Sequence, residues 1–398
     1  DVRMFLVALQ CGMVMVAAAG TATMQARQML VTQLATPFGE EEVLAATRGL
    51  ATAFSVGSFL ELFLSPVYGR LSEKYGRKPL LLGFLICPAV TRAICLFVEN
   101  PKLAIPMLWA DFAGARFLGL QPAVGVAGTM ISDLVPLRDQ SVARAHLQAS
   151  LSLGQIVGNY ASGFLNATQG PRLTYAVTAA MPAGTFLAAR ACLAETHPRF
   201  GKGSDAAASS TVAVQHKNPF VTLLRDPKTL CAALCLGGYE LISYPAINTV
   251  AVLLMQERLS WGPLQAGRFA AGRSLAFLLG CLISTRLQRV LGPRNYVTFG
   301  HCSMSLGYFL WGTATATPRM LMSLVPMALG SGPSQVLMTS FVERAAALGV
   351  SRGDAGSVIQ VVGAAMRIVA PQIFVTLYLR AKRKKQLPLG APMVLVSM

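Results

Sequence analysis

Acidic side chains are scarce in this chain: 17 aspartates and glutamates stand against 34 lysines and arginines in 398 residues, and only 13% of positions carry a charge. A water-soluble domain of ordinary composition carries about a quarter, so a conventional soluble surface is excluded. Nowhere do Cys, His, Asp and Glu gather at metal-ligand spacing, nor do a nucleophile, a base and an orienting group occur together. No metal, no cofactor and no enzymatic activity are therefore expected. The eight cysteines (Cys11, Cys87, Cys95, Cys192, Cys231, Cys235, Cys281 and Cys302) lack the paired loop spacings of a zinc site or a secreted disulfide framework, and fall in apolar surroundings as small packing residues. A net charge of +17 would suit nucleic acid, but the cations are scattered through short segments between apolar runs and form no patch or stripe. Nucleic acid is not an expected partner.

What the chain has in abundance is apolar sequence, 54% of residues, in runs of the length that crosses roughly 30 Å of hydrocarbon at about 1.5 Å per residue. The runs predict spans near 4–24, 46–67, 79–98, 103–132, 142–165, 172–192, 229–255, 264–285, 294–314, 318–342 and 355–379, with a fragment from Leu389 to Met398 too short to cross. The chain starts at Asp1, and Met4 to Ala19 is too long and too well matched to the later spans for a cleaved signal; trimmed termini are expected. This is an all-α polytopic membrane protein, multi-pass in the bilayer. The one long polar break, 195–228, contains Gly201-Lys202-Gly203-Ser204-Asp205 and a run of small residues that cannot bury enough apolar area to fold. It separates an expected N-terminal six-helix bundle, 1–194, from a C-terminal bundle, 229–398, of five helices and the start of a sixth. A weak repeat, Tyr75-Gly76-Arg77-Lys78-Pro79-Leu80-Leu81-Leu82-Gly83 against Leu291-Gly292-Pro293-Arg294-Asn295-Tyr296-Val297-Thr298-Phe299-Gly300, relates the halves. Two such halves place a substrate at the midplane and rock around it.

The most distinctive polar stretch is Gly69-Arg70-Leu71-Ser72-Glu73-Lys74-Tyr75-Gly76-Arg77-Lys78-Pro79. It holds four cations, whereas Thr52–Val67 and Leu80–Val98 on either side hold only Glu61 and Arg92, so it reads as a loop on the cytoplasmic face. Gly69 and Gly76 would let the flanking helices approach closely. With the N-terminus inside, eighteen lysines and arginines fall at the N-terminus and in cytoplasmic loops against seven in the outer loops before the eleventh span, Arg27 among the seven. Arg380, Lys382, Arg383, Lys384 and Lys385 follow that span on the expected outer side and run against the rule. On the same side Asn166-Ala167-Thr168 has the form of a glycosylation sequon.

The glycine, acid and Gly-Arg-Lys pattern of 69–78 resembles the loop between helices 2 and 3 of major facilitator superfamily transporters. Ala115-Arg116-Phe117-Leu118-Gly119-Leu120, Ile131-Ser132-Asp133-Leu134-Val135-Pro136, Trp261-Gly262-Pro263-Leu264-Gln265-Ala266-Gly267 and Leu329-Gly330-Ser331-Gly332-Pro333-Ser334 narrow the likeness to the drug/proton antiporter branch, of the tetracycline-resistance type. The resemblance implies twelve helices, of which helix 12 is truncated in this chain, and secondary transport of a small molecule by alternating access, as proton-coupled export from a monomer in the lipid bilayer. It implies a gate at Gly69, Arg70, Glu73, Lys74, Gly76, Arg77 and Lys78, with Glu73 latching the outward-open state, and a part for Arg116 in proton transfer. The alternatives are an uncoupled or organic-anion facilitator, and a transporter-like receptor or scaffold without flux.

A cation in mid-span costs about 3 kcal/mol on insertion scales, so Arg116 is expected to face the bundle interior with a partner, and Asp111, five residues earlier, shares its side. Glu61 and Glu240 lie among apolar residues where desolvation favours protonation. Glu240 is flanked by Tyr239 and Tyr244, and Arg273 and Arg367 are candidate partners for these acids or for an anionic substrate. Gly154, Gly158 and Gly163 resemble the antiporter motif in which a Gly-Pro step bends helix 5. Asn159 replaces the proline, and Gly154 with Gly158 keeps the spacing of close helix packing. The first span carries Gln10 where the exporters carry an acid.

Overall fold

The computed structural model describes residues 2–136, 139–196, 219–243, 251–350, 352–384 and 394, and among these all regular structure is helical. The central loop from 197 to 218, Tyr244 and nearly all of the expected helix 12 fragment lie outside the described residues. By contacts the chain divides into Asp1–Ala213 with Pro263–Ala271, and Val214–Gly262 with Gly272–Met398.

The first unit is built from α1 (Val2–Ala35), α2 (Glu40–Tyr75), α3 (Arg77–Leu96), α4 (Pro101–Phe117), α5 (Leu120–Leu134), α6 (Gln140–Thr168) and α7 (Pro171–Cys192). Helix α1 lies against α6 and α7, and α2 against α4. A core of Phe5, Leu9, Met13, Leu81, Leu85, Met130, Ile131, Leu147 and Leu151 joins α1, α3, α5 and α6. Glycine decides how closely these helices meet. A Cβ on Gly154 would lie 2.2 Å from the Val14 carbonyl oxygen, and one on Gly158 would lie 2.3 Å from that of Ala18, so the α6 backbone rests directly on α1. Gly57 does the same for α2, where a Cβ would stand 2.5 Å from the Ala113 oxygen on α4.

The second unit holds α8 (Pro219–Arg225), α9 (Pro227–Ser243), α10 (Ala251–Leu259), the greater part of α11 (Pro263–Leu291), α12 (Pro293–Gly312), α13 (Thr317–Met322), α14 (Leu324–Leu329), α15 (Pro333–Ala347) and α16 (Arg352–Lys384). Helices α9, α15 and α16 pack around Leu223, Ala233, Phe341, Ala345, Ala355 and Val358. Half-buried Asp226 accepts from the Thr229 amide at the start of α9, and its two oxygens meet Arg344 Nη2 at 3.1 Å and Nε at 3.3 Å. Arg344 and the Thr229 amide hold this carboxyl down to about 2.

Six helical segments among the described residues are long and apolar enough to cross a bilayer: Val2–Phe38, Glu40–Ser65, Arg77–Leu96, Pro101–Ile131, Pro263–Ser284 and Val358–Lys382. Other expected spans fall on helices of sufficient length but lower hydropathy, α6, α7 and α12, which carry the glycines and hydroxyls used in packing. Several expectations need correction. The span expected at 103–132 is found as Pro101–Ile131, but its helix is interrupted at Leu118–Gly119, where a Cβ on Gly119 would stand 2.4 Å from the Ala115 oxygen. The span 318–342 breaks twice, around Ser323 and around Gly330-Ser331-Gly332. Arg27, assigned to an outer loop, lies inside α1 and is 2% exposed. The loop 69–79 shrinks to one residue, because α2 runs to Tyr75 and α3 starts at Arg77. Asn166 is buried with its amide donating to Ser162 Oγ at 3.1 Å, so the sequon is closed to a glycan in this conformation. The basic run is in part accommodated: α16 carries Lys382 to Glu257, 2.8 Å away at the end of α10.

Candidate functional site

Two buried ionic groups lie within the first unit. Arg116, at the last turn of α4, stands 3.5 Å from Glu61 Oε2 on α2, and its guanidinium carbon sits 4.6 Å from the centre of the Phe54 ring. Both charged side chains are at most 5% exposed. The sequence places Gly57 one turn before Glu61, and that glycine lets α2 approach α4 closely enough for the pair to meet. Just beyond Arg116 the helix breaks, and the Phe117 carbonyl at the break accepts from Tyr68 Oη at 2.7 Å. Tyr68 was not visible as a site residue, since its partner is a backbone oxygen 49 positions away.

The second group is centred on Asp111. Its oxygens accept from Arg27 on α1, from Thr91 Oγ1 on α3 at 2.7 Å and from the Tyr175 hydroxyl on α7. Arg27 also lies over Phe112, 4.6 Å from the ring centre. Arg92, one residue beyond Thr91, is 4% exposed and donates to the Thr178 carbonyl at 2.8 Å, within electrostatic reach of Asp111. Asp111 thus ties four helices together, and its partner is Arg27 on another helix, not Arg116 on its own. Glu61 in turn meets Arg116. Arg273 lies 5.8 Å from the Trp311 ring and 5.9 Å from that of Phe277, and Arg367 is buried in α16. Tyr239 is half-buried on α9, while the Glu240 side chain lies outside the described residues.

The stretch expected to form a gate has a definite geometry. Gly76 adopts φ +95°, and a Cβ there would stand 2.5 Å from Glu195 Oε2. Glu195 accepts from the Arg77 amide at 2.9 Å and the Lys78 amide at 3.0 Å, satisfying the first two free N–H groups of α3 at the positive end of its dipole. Arg77 Nε meets Asp133 Oδ2 at 3.2 Å and its Nη1 donates to Ser72 Oγ. Lys78 Nζ donates to the Arg190 carbonyl at 2.9 Å, and Lys74 lies beside Tyr75. Gly69, however, is exposed inside α2 with nothing within 4 Å of a Cβ, so close approach is not its role. The side chains of Arg70 and Glu73 lie outside the described residues. Glu195 was missed as a site residue because it follows the first bundle by one position and acts on amides over a hundred positions away.

Of the expected packing glycines, Gly154 and Gly158 seat α6 on α1, and Gly163 meets Gly267, each Cβ falling under 3 Å from the other's Cα. Asn159, in place of the proline, accepts from Gln25 Nε2 on α1 at 3.1 Å, and Ser162 Oγ donates to the Ala22 carbonyl. Helix α6 passes this point unbroken.

Buried ionic contacts between long apolar helices and a capped cationic helix junction mark a polytopic helical membrane protein. Residues 4–371 match the profile of the Major Facilitator Superfamily, and the chain belongs to that family. It is similar to the tetracycline resistance protein, class C, of Escherichia coli, at 25% identity over 72% of this chain and 70% of that protein. Among solved structures it resembles a D-xylose–proton symporter, with TM-score 0.71 and 15% identity over 100% of this chain and 96% of that one. It also resembles the human organic anion transporter MFSD10, with TM-score 0.64 and 17% identity over 99% and 96%. The chain is an integral multi-pass membrane protein and a secondary transporter of small molecules, not an enzyme.

Proposed function

We propose that this transporter exports a small molecule in exchange for protons, with the Glu61–Arg116 pair as the proton-responsive element. The observation that carries the reading is the pair itself: an acid and a guanidinium enclosed between α2 and α4, 3.5 Å apart, at the turn where α4 gives way to α5. Protonating Glu61 would release Arg116 beside a helix break, so a proton would be coupled to local rearrangement. The similarity to tetracycline resistance proteins supports export by antiport. Asp111 is less suited to the task, because three donors close around it. Gly76, Arg77, Lys78 and Glu195 form a rigid corner that transmits movement between α2 and α3, and Arg70, Glu73 and Lys74 extend the gate.

A facilitator without proton exchange is the second reading. It is favoured by Arg92, a buried cation whose neighbouring acid, Asp111, is already engaged by Arg27. Proteoliposomes holding an internal pH dye, offered lipophilic cations or organic anions, discriminate the two. Substrate-dependent proton movement is expected in the wild type and lost in Glu61→Gln and Arg116→Ala. Substrate flux with no proton movement establishes the facilitator, and absence of both across a broad panel refutes each.

A further inference from the structure

We propose that the apolar crevice bounded by α1, α3 and α7 holds one acyl chain of an anionic phospholipid whose headgroup is received by Lys78. The crevice has a volume of about 390 Å³ and lies entirely within the first unit. Taking a methylene to fill roughly the 30 Å³ share of a liquid water, it accommodates about a dozen of them, most of one fatty acyl chain. Its walls are hydrocarbon and sulfur: Leu81 and Leu85 from α3, Met15 from α1, Ala188 from α7.

Two glycines open it, and neither serves helix contact. A Cβ on Gly184 would meet nothing within 4 Å, and one on Gly12 would stand an ordinary 3.8 Å from Thr185 Cγ2. This contrasts with Gly154 and Gly158, where a Cβ would strike backbone. Small residues at these two positions therefore leave space instead of closing it. The exposed Cys11, Met15 and Cys192 place its mouth on the outer surface of the unit.

The charge at one end selects the headgroup. Lys78, Leu81 and Leu85 occupy positions i, i+3 and i+7 of α3, so the lysine stands at the head of the stripe that lines the crevice. Its ammonium rests on the Arg190 carbonyl of α7, and the Arg190 side chain beside it is exposed. The Glu195 carboxylate accepts from the Arg77 and Lys78 amides at the start of α3, while the Lys78 ammonium donates to the Arg190 carbonyl. Basic residues between membrane helices at the cytoplasmic surface are suited to anionic headgroups.

The test uses the full chain in nanodiscs of phosphatidylcholine doped with phosphatidylglycerol that carries a mid-chain diazirine, and in parallel a phosphatidylcholine diazirine probe. After photolysis, adducts are mapped by peptide mass spectrometry. Adducts of the phosphatidylglycerol probe are expected to concentrate at residues 8–16 and 181–193. Lys78→Gln should lower the ratio of phosphatidylglycerol to phosphatidylcholine adducts there about fivefold, the effect of one lysine near an anionic surface, and Lys78→Arg should restore it. Gly184→Phe should abolish adducts of both probes at the crevice. Adducts spread evenly over other exposed faces, such as Leu306 and Phe309 on α12, overturn the proposal. So does a ratio unchanged in Lys78→Gln. Displacement of both probes by excess tetraphenylphosphonium also overturns it, since the crevice would then be a site for transported small molecules.

Discussion

Replacing Asp111 by asparagine removes the charge on which Arg27 depends and leaves that guanidinium buried, 2% exposed, beside a second cation, Arg92. Breaking a buried pair from one side costs about 3–5 kcal/mol. Arg27→Met should cost less, about 1–3 kcal/mol, because the carboxylate left behind keeps the Thr91 and Tyr175 hydroxyls and has Arg92 near it. The order of the two variants therefore follows from the asymmetry of the cluster: one acid serves two arginines. Equilibrium unfolding in mixed micelles, followed by tryptophan fluorescence, measures both, and Trp109 lies two residues from Asp111 on α4 as a local reporter. A loss of 3 kcal/mol is roughly two decades in the unfolding constant. The double variant should lie well short of the sum of the singles, since Arg27 is no longer there to be stranded. If Arg27→Met proved as costly as Asp111→Asn, or if the two simply added, the idea of one acid shared by two cations would be wrong.

At the α2–α3 corner, Gly76→Ala should lower stability by about 1–3 kcal/mol, since its backbone conformation is nearly restricted to glycine, while Gly69→Ala should be neutral; thermal melts of purified protein compare them. Glu195→Ala strips the acceptor from two α3 amides and should cost about 1–2 kcal/mol and slow substrate flux in liposomes. Gly158→Leu forces side-chain atoms into the α1 backbone and should cost about 3 kcal/mol or more, whereas Gly184→Leu has open space and should leave folding intact, as judged by gel filtration. Asp226 titrates near 2 in the folded chain and about 4 when unfolded. Its contribution is therefore present above about pH 4 and lost as pH falls toward 2. The melting temperature of the wild type should drop across that window by more than that of Asp226→Asn.

The helical membrane architecture was legible because apolar runs report directly on hydrocarbon thickness, and the close seat of α6 on α1 was legible because glycine spacing reports directly on backbone approach. Partnerships were not. Arg116 was read against Asp111, its neighbour along the same helix, but the structure pairs each with a residue from a different helix, over fifty positions away. Hydropathy ended the first span before Arg27, since a cation lowers any window that includes it; only the pocket formed by Asp111 and Phe112 explains how α1 continues through it. Glu195 looked like the first residue of a linker because its role is to accept from backbone amides, and amides carry no sequence signal.

The contact between Gln25 and Asn159 has a kinetic meaning. A proline imposes its bend for as long as the chain exists, and no thermal event on the timescale of transport removes it. The amide hydrogen bond from Gln25 to Asn159, like that from Ser162 to the Ala22 carbonyl, has a finite lifetime and weakens if a competing donor or acceptor reaches it. In this chain the polar attachment of α6 to α1 is therefore reversible, while the glycine seat at Gly154 and Gly158 keeps the two backbones together when that bond opens.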